Sequence, residues 1–320
     1  MNPGDIRTTE FRDICITEFD SAFERLQSSN VPLAQLPRVS ALALKGDGFD
    51  LLWRHNSRPS IQEWVVPAGH WLLHLPHPSS DALTAFQAHP EGCQHSLLGL
   101  PGDEPAWHMS AEQPCLVLAT STRILESLFQ TEELDSLQQQ TRTLRRSQLD
   151  GQQLLAVSGA LLAHLQALCP SQTPVAPPAD AGLTSLIRLA YSQLAVTQPG
   201  EPRISNRDRI LTQALDFIRR HYARDICIAD IVNHVHTTTR NLQIVFKAQF
   251  GMSPLQFLKR YRLSRFHQAL RRHGTVTAAA VYSGLRHMGR VSDEYRKLFG
   301  RNPLESLNQF RLENADFAPP

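Results

Sequence analysis

"HTTTRNLQIVFKAQFGMSP", residues His236 to Pro254, decides the fold of the last third of the chain. Three threonines precede a run of helix formers. A hydroxyl at a helix start accepts a hydrogen bond from one of the orphan backbone N–H groups there, so Thr238 is the expected N-cap. Leu242, Val245, Phe246 and Phe250 then recur at three- and four-residue intervals and form one apolar stripe. Gly251 supplies the left-handed residue that closes a helix, Ser253 caps the next one, and Pro254 takes its first position, where no N–H is required. Upstream, "CIADIVNHV" places Ile228, Ile231, Val232 and Val235 on one side of a short helix, with a tight turn at His236 and Thr237. The pattern is a helix-turn-helix.

The unit occurs twice. Phe246-Lys247, Phe250-Gly251 and Pro254 return as Tyr295-Arg296, Phe299-Gly300 and Pro303, at a separation of 49 residues. Upstream of the turn the separation is 48, with Ile228, Ile231 and Val232 matching Val276, Ala279 and Ala280. A repeat this compact is more specific than either motif alone. In the first copy the buried stripe leaves Thr239, Arg240, Gln243, Ile244 and Lys247 pointing outward beside Thr238, a set that a major groove can accommodate. In the second, "TVTAAAVYSGLRHMGRVSDEYRKLFGRNP", the reading helix begins near His287 and Met288. Val291, Tyr295, Leu298 and Phe299 are expected to be buried, with Arg286, His287, Gly289, Arg290 and Asp293 outward. Gly289 allows close backbone approach to a phosphate, and Arg290 is the best candidate for a guanine or backbone contact. Between the copies, Pro254 to about Arg272 reads as one helix of about 28 Å at 1.5 Å per residue, long enough to hold two reading heads apart. It bears Lys259, Arg260, Arg262, Arg265, Arg271 and Arg272.

Charge divides the chain in the same place. Residues 203–320 hold 20 Lys and Arg against 9 Asp and Glu, a net +11, whereas residues 1–202 hold 12 against 21, a net −9. A compact cationic segment suits a polyanion such as duplex DNA. Cys15, Cys93, Cys115, Cys169 and Cys227 are odd in number and show no C-x-x-C spacing, which fits reduced thiols. "MNPGDIRTTEFRD" lacks the features of a signal peptide, and no apolar run approaches the roughly 18 residues that span a bilayer. The expectation is a cytoplasmic protein with no membrane partner.

"CPSQTPVAPPADAG" (Cys169 to Gly182) and "TQPGEPRISN" (Thr197 to Asn206) read as linkers flanking a short amphipathic helix, Leu183 to Val196. Before them, "RVSALALKGDGFDLLWRHN" is a hairpin signal around Lys45-Gly46-Asp47-Gly48, and "IQEWVVPAGHWLLHLP" adds two strands bent at Pro67-Ala68-Gly69. "HSLLGLPGDEPAWHMS" and "PCLVLAT" continue the strand pattern, which favours a small barrel or jelly roll. From Thr122 onward the period becomes helical, and the Leu154 to Leu168 stripe suits core or a dimer contact. His55, His70, His74, His77, His89, His95 and His108 gather here without any His-x-His, so no metal and no cofactor are expected. Trp53, Trp64, Trp71, His74 and Trp107 are the candidates for an organic-effector pocket.

The tandem array resembles the DNA-binding domain of AraC/XylS-type transcription regulators. Their Ser-x-Arg-x-Leu and Phe-Lys-x-x-Phe-Gly-x-Ser-Pro pattern is met by Thr238, Arg240, Leu242, Phe246, Lys247, Phe250, Gly251, Ser253 and Pro254. "GLRHMGRVSDEYRKLFGRNP" is similar to the form in the branch with ethanolamine-type regulators. The chain departs at His236, where many members have the turn Gly, at Leu285 in place of Phe, and at Arg301-Asn302-Pro303, which lacks the serine. The resemblance spans roughly Asp208 to Phe310. It implies seven helices in two subdomains reading successive major grooves, an N-terminal cupin-like sensing or dimerisation domain, and RNA polymerase as a partner.

The fold expected is therefore α+β in two domains: a cupin-like β-barrel with following helices over 1–170, a linker with a short helix over 171–206, and an all-α tandem helix-turn-helix domain over 207–320. The function expected is a sequence-specific, non-enzymatic DNA-binding regulator, an activator responding to a small organic effector and acting as a homodimer. The alternative is a cupin-type metalloenzyme with an accessory DNA module. A DNA-repair methyltransferase ranks last, because Cys93 and Cys227 lack the basic flanks of a reactive thiol.

Overall fold

In the computed structural model, residues 7–15, 27–33, 38–58, 60–77, 98–101, 106–109, 114–143, 151–168, 180–195, 206–286 and 288–316 are described. The chain divides into two units, Met1–Ser29 with Pro37–Arg203, and Asn30–Leu36 with Ile204–Pro320. The strands are β1 (Arg7–Cys15), β2 (Gln27–Pro32), β3 (Arg38–Gly46), β4 (Phe49–Asn56), β5 (Ser60–Val65), β6 (His70–Pro76), β7 (Leu98–Gly99), β8 (Ala106–Met109) and β9 (Cys115–Ser121). Four helices follow: α1 (Thr122–Leu128), α2 (Thr131–Thr143), α3 (Gly151–Ala167) and α4 (Asp180–Ala195).

The expected hairpin is β3 and β4, closed at the pair Gly46 and Phe49 by the two-residue turn Asp47-Gly48. Gly48 sits at φ 82°, and a Cβ there would lie 2.6 Å from the Ser121 hydroxyl, so the turn tolerates no side chain. The six-stranded sheet runs β1–β3–β4–β9–β6–β7. Its side chains alternate between faces. Leu44, Leu51, Leu118 and Leu73 form one cross-strand row and pack with residues of the four helices into a single core. Ala43, Leu52, Val117 and His74 form a row on the opposite face, also buried.

Two expectations are corrected here. The described strands of the larger sheet end in open edges at β1 and β7, and β5 pairs with β8 in a separate small sheet, so a closed barrel is not formed among the described residues. The second correction concerns α4, which the sequence places as a helix inside a linker. Leu183, Ile187, Ala190 and Tyr191 are buried in the core of the first unit. An amphipathic helix gains roughly 25 cal/mol for each Å² of apolar surface it removes from water, which a solvated linker helix forfeits.

The second unit contains seven helices among the described residues: α5 (Asn206–His221), α6 (Ile228–Val235), α7 (Thr239–Phe250), α8 (Pro254–Arg272), α9 (Val276–Tyr282), α10 (Met288–Phe299) and α11 (Pro303–Asp316). α6 and α7 form the first helix-turn-helix over Ile231, Val235, Leu242, Val245, Phe246 and Phe250, all buried. Phe246, Phe250 and Phe257 continue that core as a ring cluster with centroids 4.9–5.6 Å apart. The second helix-turn-helix, α9 and α10, closes over Ala279, Ala280, Val291, Tyr295, Leu298 and Phe299 against α8 and α11.

At the first turn His236 is left-handed, with φ and ψ both 54°, and Thr237 N–H donates to the Val232 carbonyl at 3.3 Å. A β-carbon in this region is strained by about 1 kcal/mol or more. Replacing His236 with Gly is expected to raise stability by about 0.5–1 kcal/mol net of glycine's extra unfolded-state entropy, read from the urea midpoint at unchanged slope.

His267 is buried at the centre of the second subdomain, its ring parallel to Phe299 at 4.3 Å and edge-on to Phe310 at 5.2 Å. Nδ1 shares a hydrogen bond with the Tyr295 hydroxyl. Burial, reinforced by the charges of Arg271 and Arg301, pushes the imidazole pKa down to about 3. The unfolded chain, with an ordinary histidine pKa near 6.5, binds the proton that the folded chain refuses. Stability is therefore whole above about pH 6.5 and falls as pH drops toward the folded value, by up to about 1.4 kcal/mol per unit from this group. His267→Gln is expected to flatten the pH 7 to 5 dependence of the unfolding midpoint by about one proton relative to wild type; equal slopes in both proteins count against it.

Candidate nucleic-acid interface

α7 begins where the hydroxyl pattern requires. Asn241 N–H donates to Thr238 Oγ1 at 3.1 Å, and the Asn241 amide donates to Thr237 Oγ1 at 3.0 Å. With the helix start fixed and Leu242, Val245, Phe246 and Phe250 buried, the period of 3.6 residues determines which side chains face solvent. Thr238, Thr239, Arg240, Gln243, Ile244 and Lys247 are all exposed, Ile244 to 52%. An exposed branched apolar residue among polar ones offers a surface for a thymine methyl. The Lys247 ammonium donates to the Gly251 carbonyl at 2.8 Å, which places that cation on the C-terminal end of its own helix. Gly251 is left-handed, at φ 69°, and Ser253 with Gln256 forms a reciprocal capping box on α8.

α10 repeats the arrangement. Gly289, Arg290 and Asp293 are exposed, while Val291, Tyr295, Leu298 and Phe299 are buried. Space is open around Gly289, with no atom within 4 Å of where a Cβ would stand. His287 lies outside the described residues. Arg286 is exposed and its Nη1 pairs with Asp225 Oδ2 at 3.1 Å.

Most of the cations on α8 are engaged within the protein. Arg262 donates to the carbonyls of Tyr222 and Arg224 at 2.7 and 2.6 Å. The Arg265 guanidinium lies over the rings of Tyr222 and Tyr261 at 5.8 and 5.0 Å, and Arg271 lies over Phe310 at 4.1 Å. Lys259 pairs with Glu294 of α10. Asp225, and the structural role of Arg262, were missed by sequence reasoning, because their partners are 61 and about 40 positions away and no local pattern marks them.

Of the effector candidates whose side chains are described, Trp53 and Trp71 lie on the helix-facing side of the sheet and His74 on the other. Trp71 is fully buried on the helix-facing side of the sheet, edge-on to Tyr191 at 6.3 Å, with its indole N–H donating to Thr122 Oγ1 at 3.2 Å. Trp53 packs against the same core. His74, three residues after Trp71, necessarily faces the other way. There burial and the charge of Arg54 hold its imidazole pKa down at about 4. Arg54, Asn56 and Ser60 form a buried polar chain near it, with Arg54 Nε donating to Asn56 Oδ1 at 2.8 Å and Asn56 Nδ2 to Ser60 Oγ at 3.2 Å. Trp64 and Trp107 belong to β5 and β8, and their side chains lie outside the described residues.

Cys115 is buried, which pushes its thiol pKa up to about 12, and Cys227 precedes α6 with its N–H donating to Asp230 at 2.7 Å. No group of three or more His, Cys, Asp and Glu among the described residues is placed to hold a metal ion. No helix among them is long and apolar enough to cross a membrane.

A family profile described as "Helix-turn-helix domain" matches residues 231–309, which covers both turns and both reading helices. The "Probable thc operon regulatory protein" of Rhodococcus erythropolis is 30% identical over 102 residues, 31% of this chain and 31% of that protein. The present chain thus spans about a third of the length of that relative. The "XylDLEGF operon transcriptional activator 2" of Pseudomonas putida is 22% identical over 144 residues, 41% of this chain and 92% of its own. Among solved structures, a "probable AraC family transcriptional regulator" from Rhodopseudomonas palustris is 31% identical, with a TM-score of 0.30, covering 32% of this chain and 96% of that one. The helix-turn-helix region, residues 231–309, is thus what the chain shares with these regulators, and over it the chain is similar to AraC/XylS-type transcriptional regulators.

Proposed function

We propose that this chain is a sequence-specific DNA-binding transcription activator whose α7 and α10 enter successive major grooves on one face of the duplex, about 34 Å apart. The observation that carries the reading is the matched exposure of the two helices. Each buries its apolar stripe and turns a polar, partly cationic set outward from a start fixed by a tight turn. Arg240 and Arg290 are assigned to bases or to the adjoining backbone, Thr239, Gln243 and Ile244 to base edges, and Thr238, Lys247, Arg286 and Gly289 to phosphates. Asp293 accepts from a cytosine amine or orients Arg290. His287 is assigned to the same surface by its place in sequence.

The first unit is assigned a sensing and dimerising role with a cupin-like fold, binding a small organic effector. Support comes from the second face of the large sheet, where Arg54, Asn56 and His74, with Ser60 of β5 bonded to Asn56, bury polar groups that a non-polar layer would exclude. The activator role rests on the similarity to an operon transcriptional activator, and RNA polymerase as partner follows from that role. A cytoplasmic location follows from DNA as the target.

Gel shifts with genomic fragments flanking the protein's own gene, run across a salt series, test the reading; absence of any salt-sensitive binding by the full chain removes it. On a fragment that binds, Arg240→Ala and Arg290→Ala are each expected to cost about 1–3 kcal/mol of specific affinity. Lys247→Ala is expected to weaken all fragments alike and to lower the salt slope by about one. Wild-type affinity in both arginine variants means that the reading faces are assigned wrongly.

A further inference from the structure

The two turns adopt the same backbone from different residues. His236 and Gly284 stand 48 positions apart at equivalent places, both left-handed, with φ of 54° and 72°. Behind each, an N–H reaches back five residues: Thr237 to Val232 at 3.3 Å and Leu285 to Ala280 at 3.0 Å. A left-handed turn therefore does not by itself demand glycine in this chain. The second turn demands it for another reason. A Cβ on Gly284 would lie 2.8 Å from Ala223 Cα, from the Ala223 carbonyl oxygen and from the Tyr222 carbonyl oxygen, three backbone atoms that no rotamer change can move.

Those atoms belong to the loop Tyr222–Asp225, which leaves α5 in the first subdomain, while Gly284 is the turn of the second. The same loop is gripped from α8 by Arg262, through Nε to the Tyr222 carbonyl and Nη2 to the Arg224 carbonyl. Tyr222 also meets Tyr261 edge-on at 5.3 Å beneath the Arg265 guanidinium. Arg286, two residues past Gly284, reaches the loop's Asp225. One short loop is thus held by the connecting helix on one side and touched without clearance by the second turn on the other. A planar guanidinium that bridges two carbonyls fixes direction as well as distance, which a single ammonium does not.

We propose that the Tyr222–Asp225 loop is a strut that sets the second reading helix at a fixed angle and distance from the first, with Arg262 and Gly284 as its positioning residues. The unit then selects operators by the spacing of their two half-sites as well as by their bases. The inference rests on the DNA-reading assignment above. Neither residue touches DNA in it; both act through the placement of α10.

The test uses the full chain and an operator selected by it from random duplexes. Into that operator one, two or three base pairs are inserted between the half-sites, each rotating them by about 35° and separating them by about 3.4 Å. Wild type is expected to lose affinity by about tenfold or more at the first insertion, comparable to a mismatched base pair. Arg262→Met is expected to lose less than about threefold, and Arg262→Lys, which keeps the charge but can hold only one carbonyl at a time, to fall between. Gly284→Ala is expected to displace the preferred spacing or flatten the dependence. A general loss of stability would weaken every duplex equally and leave the spacing ratio unmoved, so the ratio reads positioning alone. If Arg262→Met and Arg262→Lys both keep the wild-type ratio, the strut is overturned and DNA reading stands. If wild type selects no duplex at all, the proposed function fails and the strut with it.

Discussion

A single left-handed residue between two helices governs the geometry of each helix-turn-helix. At His236 and again at Gly284 the backbone reverses within one residue, and an N–H from the far side returns to a carbonyl five positions earlier. That closure leaves the following helix little freedom of direction. Once its start is fixed, the 3.6-residue period and the buried stripe decide which side chains face outward. The exposed sets on α7 and α10 are consequences of the turn and the core, and only their chemistry is left for sequence to vary.

The comparison between the two turns separates two costs that are easily confused. A β-carbon in the left-handed region strains the backbone by roughly 1–2 kcal/mol, which a domain can absorb. A β-carbon 2.8 Å from three backbone atoms cannot be absorbed without a shift of the turn or of the Tyr222–Asp225 loop it meets. His236, exposed, bears only the first cost, so the departure from glycine there leaves the fold intact. Gly284 would bear both.

What could be read from sequence follows the range of the interaction responsible. The caps Thr238, Gly251 and Ser253, the stripes on α7 and α10, the hairpin of β3 and β4 and the start of α1 at Thr122 are set by neighbours within a few residues, and each is found where its local chemistry puts it. The placement of α4 was not legible, since Tyr191 finds Trp71 from 120 positions away and the proline-rich stretch beside the helix suggests a linker. Trp71 was ambiguous for a related reason. A large aromatic residue looks alike in sequence whether it lines a cavity or fills a core, and in Trp71 the partner helix decided for the core. Whether the larger sheet closes depends on strands meeting across the whole first unit, information that alternation within a strand does not carry. Arg262 reads as one more cation on a basic helix until its two carbonyl partners are seen.

The charge count therefore overstates what is offered to a polyanion. Of the surplus of +11 in residues 203–320, Arg262, Arg265 and Arg271 are committed to carbonyls and aromatic rings that hold the subdomains. Arg286 differs from them. Its pair with Asp225 leaves the two side chains 64% and 76% exposed, and an ion pair so open to water is worth at most about 1 kcal/mol. In the proposed reading a phosphate at α10 would take that guanidinium at small cost, while the Arg262 bridge to the Tyr222 and Arg224 carbonyls stayed in place. The labile contact thus faces the ligand and the rigid one faces the protein. If the strut acts as proposed, the two helices would keep their relation on binding, and little of the affinity would be lost to ordering them.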